Sequence, residues 1–210
     1  MLKGLYVIAD TQSIRARDFL DTVESVLSVG TRIIQYRDKV NDQETRTVIG
    51  HKLRSLTRKH KSLLIINDDI ELTRDIDADG VHLGKEDHGI SETGTFLGAE
   101  KIIGASCYNE YGNAVQAVAD GAAYIAFGSF FTSPTKPSAP LADTGLITRA
   151  KQELNIPVCA IGGITQDNVT PLLHAGADMI AVISGIFNSS SPVRSVQEYM
   201  TRLQPFRSAP

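Results

Sequence analysis

The sequence is short of features that would place the chain outside the cell or in a membrane. It has only two cysteines, Cys107 and Cys159, both in apolar segments that predict strands, which favours buried free thiols over a disulfide. No apolar run approaches the ~20 residues that cross a bilayer, and the N-terminus lacks the apolar region and cleavage site of a signal peptide. We therefore expect a cytoplasmic protein with no membrane partner.

The chain also lacks an excess of charge of one sign. Its 21 Lys and Arg against 24 Asp and Glu give a formal net charge of −3, so no global positive potential attracts nucleic acid. The basic run RSLTRKHK (54–61) falls on a predicted helix and its exit, and we interpret it as a solvated face. The length of 210 residues predicts one domain over 1–210, with a frayed tail from about residue 205.

Short runs rich in Ile, Val and Ala recur roughly every 20–30 residues, a spacing typical of β/α units. Most of these runs are continuously apolar, as expected for parallel strands that are covered on both faces. The predicted strands are 5–10, 32–37, 62–67, 80–83, 102–107, 123–128, 157–162 and 179–184.

Apolar residues at helical spacing fill the intervals between these strands. Gly30, Gly121 and Gly176 stand where helices should end before the next strand. The stripes predicted to face the core are Phe19, Leu20, Val23, Val26 and Leu27; Val48, Ile49, Leu53 and Leu56; Val115, Val118 and Ala119; Val169, Leu172 and Leu173; and Val196, Tyr199, Met200 and Leu203.

Eight strands alternating with helices are compatible with a closed (β/α)8 barrel or with an open doubly wound sheet. Polar residues stand at the C-terminal end of nearly every predicted strand, whereas an open sheet collects its ligands at one switch point. We therefore predict an α/β fold that is a single TIM barrel of eight parallel strands, with its site at the mouth formed by the C-terminal strand ends.

The second predicted strand ends in QYRDK, where Gln35, Arg37 and Lys39 point to one side of an extended chain. Arginine and lysine suit phosphate oxygens, the first through its planar fork and the second as a point charge. Such a triplet also occurs where a strand frays into solvent. The residues at the other strand ends are therefore needed to distinguish an anion site from an exposed strand end.

Carboxylates follow the next two predicted strands. Asp68, in IINDD, and Asp87, in GKED, would lie on neighbouring strand ends beside the cations. Mg²⁺ typically takes one or two protein carboxylates together with phosphate oxygens and water, so this pair predicts Mg²⁺ bridging to a diphosphate. We interpret Asp69 as a helix cap. For His82 two interpretations fit the sequence, a contact with the ligand or a packed structural histidine.

The remaining strand ends indicate a second anion site. Glycines in IGGIT and ISGIF follow the seventh and eighth strands, where exposed backbone amides bind phosphate in many such barrels. Ser106 ends the fifth strand, and the loop after the sixth offers Ser133, Thr135 and Lys136, although proline-bounded surface loops are common. One anion site with a metal and one without predict two phosphorylated substrates.

The ordered set QYRDK, IND, DGVHLGKED, GAS, GSFFTSPTK, IGGI and VISGI resembles the thiamine-phosphate synthase family over about residues 5–187. The resemblance implies a Mg²⁺-dependent transferase with the barrel fold. Such an enzyme couples 4-amino-2-methyl-5-hydroxymethylpyrimidine diphosphate to 4-methyl-5-(2-hydroxyethyl)thiazole phosphate, giving thiamine monophosphate and diphosphate. The oligomeric state stays open between a monomer and a homodimer.

The resemblance also implies a role for each site residue. The pyrimidine diphosphate would contact Gln35, Tyr36, Arg37, Asp38, Lys39, Asn67, Ser106 and Lys136. The thiazole phosphate would contact Ser133, Pro134, Thr135, Gly163, Ile183 and Ser184. Mg²⁺ would bind Asp68 and Asp87, and the catalytic set would be Arg37, Lys39, Ser106 and Lys136.

The chain departs from the family pattern in places. Ser129 and Ser133 replace a common proline and threonine, and Asp69 replaces a common arginine. The hydroxyl at 133 is retained, so we expect that contact to be kept.

Positive charge around the leaving diphosphate suits a dissociative step through a pyrimidine methylene cation, which needs no protein nucleophile.

Other functions fit parts of this pattern. A thiazole tautomerase-like barrel would share the thiazole-phosphate end but would not need the diphosphate and metal residues. A non-catalytic sensor could have kept the pocket, and a phosphosugar isomerase would explain only the seventh and eighth strand ends. The complete diphosphate and metal set favours the synthase.

Overall fold

The structure, a computed structural model of the chain, describes residues 2–132 and 140–207. Within these residues, eight parallel strands close into a barrel in chain order, with β8 paired to β1. The strands are β1 Gly4–Asp10, β2 Ile33–Arg37, β3 Leu63–Asn67, β4 Gly80–Leu83, β5 Ile102–Tyr108, β6 Tyr124–Phe127, β7 Val158–Ile161 and β8 Met179–Val182. The predicted TIM barrel is confirmed.

Helices cover the outside of the barrel. They are α1 Phe19–Ser28, α2 Gln43–His60, α3 Ile70–Asp75, α4 Ile90–Leu97, α5 Tyr111–Ala119, α6 Gly145–Glu153, α7 Thr170–His174, α8 Ser184–Phe187 and α9 Pro192–Arg207, with a 3₁₀ turn at Ala16–Asp18. We expected the tail to fray from about residue 205, but α9 continues through Pro205 and ends at Arg207. None of the helices in the described part of the chain has the length and hydropathy needed to cross a membrane.

The core has two layers that the strand alternation separates. On β1, Leu5, Val7 and Ala9 pack outward against the helices, whereas Tyr6 and Ile8 face the barrel interior. Every residue of β1 is buried, which explains why the sequence shows a continuous apolar run there.

Two of the predicted helix faces are wrong in part. Val48 and Val115 are exposed by 49% and 45%, and Ala119 is exposed as well, although the apolar spacing predicted that all three face the core. Instead α2 buries Gly50, and α5 buries Ala114 and Ala117. Small residues let a helix lie close to its neighbours: a Cβ on Gly50 would lie 3.0 Å from Ile76 Cδ1. The predicted stripes of α1, α7 and α9 are confirmed.

Candidate active site

β2 turns alternate side chains into the barrel mouth and into the outer layer. Gln35 and Arg37 line a cavity of about 500 Å³ at the C-terminal strand ends. Tyr36 packs outward against Phe19, with ring centroids 6.0 Å apart, and donates its hydroxyl to Asp38 at 2.8 Å. Asp38 also accepts hydrogen bonds from the loops around it, donated by Thr11, Val40 and Asn41. The side chains of Tyr36 and Asp38 therefore shape the exit of β2 and do not line the cavity.

A buried aspartate that the sequence reasoning missed orients the cation of β2. Asp10, the last residue of β1, is 1% exposed. Its Oδ2 accepts from Arg37 Nη1 at 2.5 Å, and its Oδ1 accepts from the Gln12 amide at 2.9 Å. The register of β1 and β2 sets Asp10 opposite Arg37, so the guanidinium is held at the cavity wall. The signal was available, because Asp10 is a polar residue at a strand end.

The two carboxylates predicted to bind a metal lie beside Lys39. Lys39 Nζ is 2.5 Å from Asp68 Oδ2, to which Asn67 also donates at 2.7 Å. Asp87 Oδ2 accepts from the Gly84 amide at 2.7 Å. Burial raises the pKa of Asp87 above its ordinary value, and the nearby Asp68 carboxylate adds to this effect. Two mutually repelling carboxylates are a donor set that fits a divalent cation.

This pair is not part of a larger ligand cluster. Within residues 2–132 and 140–207, no group of three or more His, Cys, Asp or Glu side chains could hold a metal ion. A cation bound here would therefore take its remaining ligands from substrate oxygens and water, which is the manner typical of Mg²⁺.

The neighbouring Asp69 has a structural role. Its Oδ1 accepts from the Leu72 amide at 2.8 Å and caps α3, and its Oδ2 lies 3.2 Å from Arg46 Nη1. The capping interpretation is confirmed. Both carboxylate oxygens of Asp69 therefore have partners other than the pair formed by Asp68 and Asp87.

A chain of hydrogen bonds crosses the barrel interior at the floor of the cavity. Gln35 Nε2 donates to Tyr6 Oη, which contacts Tyr124 Oη. Tyr124 Oη contacts His82 Nδ1, and His82 Nε2 contacts Ser106 Oγ. Each of the four distances is 2.9 Å, and the residues come from five different strands.

Burial fixes the protonation of this chain. It lowers the pKa of His82 to about 4, so the imidazole is neutral at pH 7. It raises the pKa of Tyr6 and of Tyr124 above the ordinary value, so both phenols keep their protons. Because His82 lines the cavity and both its ring nitrogens are hydrogen-bonded, it is both a structural residue and a wall of the site.

The opposite side of the cavity is built from backbone after β7 and β8. Gly163 has φ +62°, and a Cβ there would lie 2.4 Å from Thr132 O, so only glycine fits this turn. After β8, the amides of Ile186 and Phe187 donate to Ile183 O. The amides of Ser184 and Gly185 precede these first helical hydrogen bonds, which leaves them available to an anion.

The structure brings most of the predicted residues to one cavity. Those that line it are Gln35, Arg37, Asn67, Ser106, Gly163, Ile183 and Ser184. Lys39 and Asp68 adjoin it through the hydrogen bond of Asn67. Sequence reasoning missed several lining residues at or just after the ends of β4 and β5, and one in the first turn of α5. They are Lys85, Tyr108, Asn109 and Glu110, and Asn113 in the helix. The predicted residues Ser133, Pro134, Thr135 and Lys136 lie outside the described residues.

A TIM barrel whose mouth joins a cationic and carboxylate-bearing side to an amide-rich side belongs to the class of phosphate-binding barrel enzymes. The family model described as thiamine monophosphate synthase matches residues 5–186. The chain therefore belongs to the thiamine-phosphate synthase family, as its motifs predict.

Individual relatives agree with this assignment. A thiamine-phosphate synthase from Thioalkalivibrio sulfidiphilus is 44% identical over 196 residues, which cover 91% of this chain and 90% of that protein. One from Nitrosococcus oceani is 43% identical over 188 residues, covering 90% and 87%. The solved structure of a thiamine phosphate pyrophosphorylase from Pyrococcus furiosus superposes with a TM-score of 0.88 at 31% identity, covering 98% of this chain and 97% of that one. The chain is thus a transferase of thiamine biosynthesis that acts on phosphorylated small molecules.

Proposed function

We propose that the synthase reaction takes place in the mouth cavity as a dissociative substitution assisted by Mg²⁺. The observation that carries the proposal is that one cavity has Arg37 and Asn67 on one side and Gly163 and Ser184 on the other. Both phosphorylated substrates can therefore be held with their reacting atoms facing each other, which is the main requirement of a reaction that relies on positioning.

The diphosphate of the pyrimidine substrate is assigned to the cationic side. Arg37 is held in place by Asp10 and offers its remaining N–H groups to phosphate oxygens. Lys39, now paired with Asp68, can move to the diphosphate when a cation neutralises that carboxylate. Asp68 and Asp87 would hold Mg²⁺, which supplies positive charge to the leaving diphosphate. Lys136 stays in this set as a prediction from the sequence.

The aromatic and thiazole parts occupy the rest of the cavity. Gln35, Asn67 and Ser106 are assigned to the pyrimidine ring. Gly163, Ile183 and Ser184 are assigned to the thiazole phosphate, together with the predicted loop residues Ser133, Pro134 and Thr135. As the diphosphate leaves, the aminopyrimidine delocalises the methylene cation, and the thiazole nitrogen then forms the new bond to that carbon.

The state of the cysteines supports a reaction without a protein nucleophile. Cys107 and Cys159 are buried and free, and burial raises the pKa of both thiols, that of Cys107 to about 12. Neither is a thiolate at neutral pH, although Cys159 lines the cavity. Free thiols also agree with the cytoplasmic location that we propose.

The test is an assay of thiamine monophosphate formation from both precursors, with Mg²⁺ and with excess EDTA. We expect Mg²⁺-dependent product in the wild type and a loss of about 100-fold in Asp68→Ala and in Arg37→Ala, as for other groups that stabilise developing charge. Asp77→Asn is the matched control, because this carboxylate pairs with Lys101 at the opposite end of the barrel.

Each part of the proposal can fail separately. Full activity in excess EDTA would refute the role of the metal. A folded, Mg²⁺-supplied wild type that makes no product would refute the synthase reaction, and the tautomerase-like and sensor functions would then be tested.

A further inference from the structure

Two buried tyrosines and a half-buried histidine connect two residues of the pyrimidine site but have no role in the reaction as proposed. Tyr6, Tyr124 and His82 join Gln35 to Ser106 through four hydrogen bonds. Tyr6 and Tyr124 are 2% and 0% exposed. In an otherwise apolar barrel interior, a polar group that loses its hydrogen-bond partner is costly. The five side chains therefore depend on one another and act as one unit.

The donors and acceptors of this chain run in one direction. Tyr6 Oη accepts from Gln35, so its single hydrogen goes to its other described partner, Tyr124. Tyr124 then donates to His82 Nδ1. The neutral imidazole carries its proton on Nε2 and donates it to Ser106 Oγ.

This direction decides what the two ends present to a ligand. Gln35 uses its Nε2 in the chain, which leaves the carbonyl Oε1 as an acceptor in the cavity. Ser106 Oγ accepts from His82, which leaves its hydroxyl hydrogen to be donated. An aminopyrimidine has the complementary groups, an amino donor and ring-nitrogen acceptors.

We propose that Tyr6, Tyr124 and His82 are positioning residues that set Gln35 as an acceptor and Ser106 as a donor, and thereby select and orient the aminopyrimidine ring. The inference rests on the proposed function, in which Gln35 and Ser106 contact that ring. It gives a role to side chains that need not touch the diphosphate or the thiazole.

Ring packing holds the chain in this arrangement. The His82 ring stacks on Tyr124 with centroids 5.5 Å apart, and Tyr6 meets Tyr124 edge to face at 5.9 Å. Gly104 makes room for the Tyr124 ring, because a Cβ there would lie 2.0 Å from Tyr124 Cζ. With their rings fixed, the two hydroxyls stay aligned with the partners that they contact in the chain.

The experiment removes one hydroxyl at a time and follows the two substrates separately. In Tyr6→Phe and in Tyr124→Phe we expect the KM for the pyrimidine diphosphate to rise about tenfold, the cost of losing one well-placed hydrogen bond. The KM for the thiazole phosphate should stay within about twofold. The double variant should be no worse than about twofold beyond either single variant, because one break already releases the chain.

Thr31→Val is the matched structural control. Thr31 is fully buried and donates its hydroxyl to Val26 O at 2.7 Å, but it precedes β2 at the opposite end of the barrel. This variant also loses a buried hydrogen bond, yet we expect it to change neither KM. Should a tyrosine variant fail to fold, His82→Asn breaks the same chain beside Ser106 and carries the same expectation.

The outcomes separate this inference from the reaction itself. An active wild type with unchanged KM values in the variants would overturn the positioning role and leave the synthase function intact. An equal rise of both KM values would also overturn it, since general damage to the barrel would then explain the loss. A wild type that forms no product would overturn both.

Discussion

At the scale of single residues, folding changes the protonation of His82, a side chain that lines the cavity. Burial lowers its pKa to about 4, while the Asp87 carboxylate opposes this shift. An unfolded histidine has a pKa of about 6.5, so the unfolded chain binds this proton first as the pH falls. The stability that the neutral imidazole confers is therefore complete above about pH 6.5 and is lost between about pH 6.5 and 4.

We expect this loss to reach about 3 kcal/mol of unfolding free energy at about pH 4. Urea unfolding of the wild type and of His82→Asn at several pH values measures it, because every other titrating group is common to both proteins. The wild type should lose more stability on acidification than the variant by about that amount. Parallel pH profiles of the two proteins would show that His82 titrates normally in the folded state.

Individual partners are where the sequence was least informative. Strand alternation placed Gln35 and Arg37 on one face, but it could not pair Arg37 with Asp10 or Tyr6 with Tyr124. The last two are 118 positions apart and meet only because the closed barrel brings β1 and β6 across its interior. Alternation did separate Tyr36 from its neighbours, and the predicted contact of its side chain with substrate follows from the resemblance alone.

At the scale of elements, the start of α3 tests whether Asp69 caps a helix or binds the metal. We expect Asp69→Ala to lower the unfolding free energy by about 1 kcal/mol, because the Leu72 amide loses its acceptor. For a chain of this size that is a fall of about 3 °C in Tm. The Mg²⁺ concentration that gives half-maximal activity should not change by more than about twofold.

Asp69→Ser is the matched variant, since serine can cap the helix but is a poor metal ligand. It should recover most of the lost stability. A large increase in the Mg²⁺ requirement of both variants would place Asp69 in the metal shell and contradict the capping role.

Elements were predictable to the extent that burial was uniform along them. All eight strands were found because parallel strands are apolar on both faces. The exposed Val48 and Val115 show the limit of helical periodicity, since the faces of α2 and α5 are set by Gly50, Ala114 and Ala117, whose small size contributes little to an apolar stripe.

At the scale of the whole molecule, closure of the barrel turns separate strand ends into one site. The polar residue at nearly every strand end was enough to predict closure and the position of the mouth. Which of those residues line the cavity depends on register and on the loops, so Lys85 and Glu110 were missed while Asn67 and Ser106 were found.

Anion binding by this molecule has to be local, because its formal net charge of −3 repels anions at long range. Inorganic diphosphate should therefore stabilise the protein only where Arg37, Lys39 and a bound cation act together. At a concentration about 100 times its dissociation constant, a ligand of the folded state adds about 2.7 kcal/mol. That corresponds to a rise of about 5–10 °C in Tm for a chain of this length.

We expect a rise in Tm of this size when Mg²⁺ and diphosphate are added together. The rises in Tm caused by Mg²⁺ alone and by diphosphate alone should add up to less than this joint rise. Asp68→Asn and Asp87→Asn should abolish the joint effect, because each removes one of the two carboxylates that would hold the cation. Asp77→Asn should retain it. If diphosphate raised Tm equally in excess EDTA, the cationic side chains alone would account for its binding, and the carboxylate pair would need another explanation than a metal.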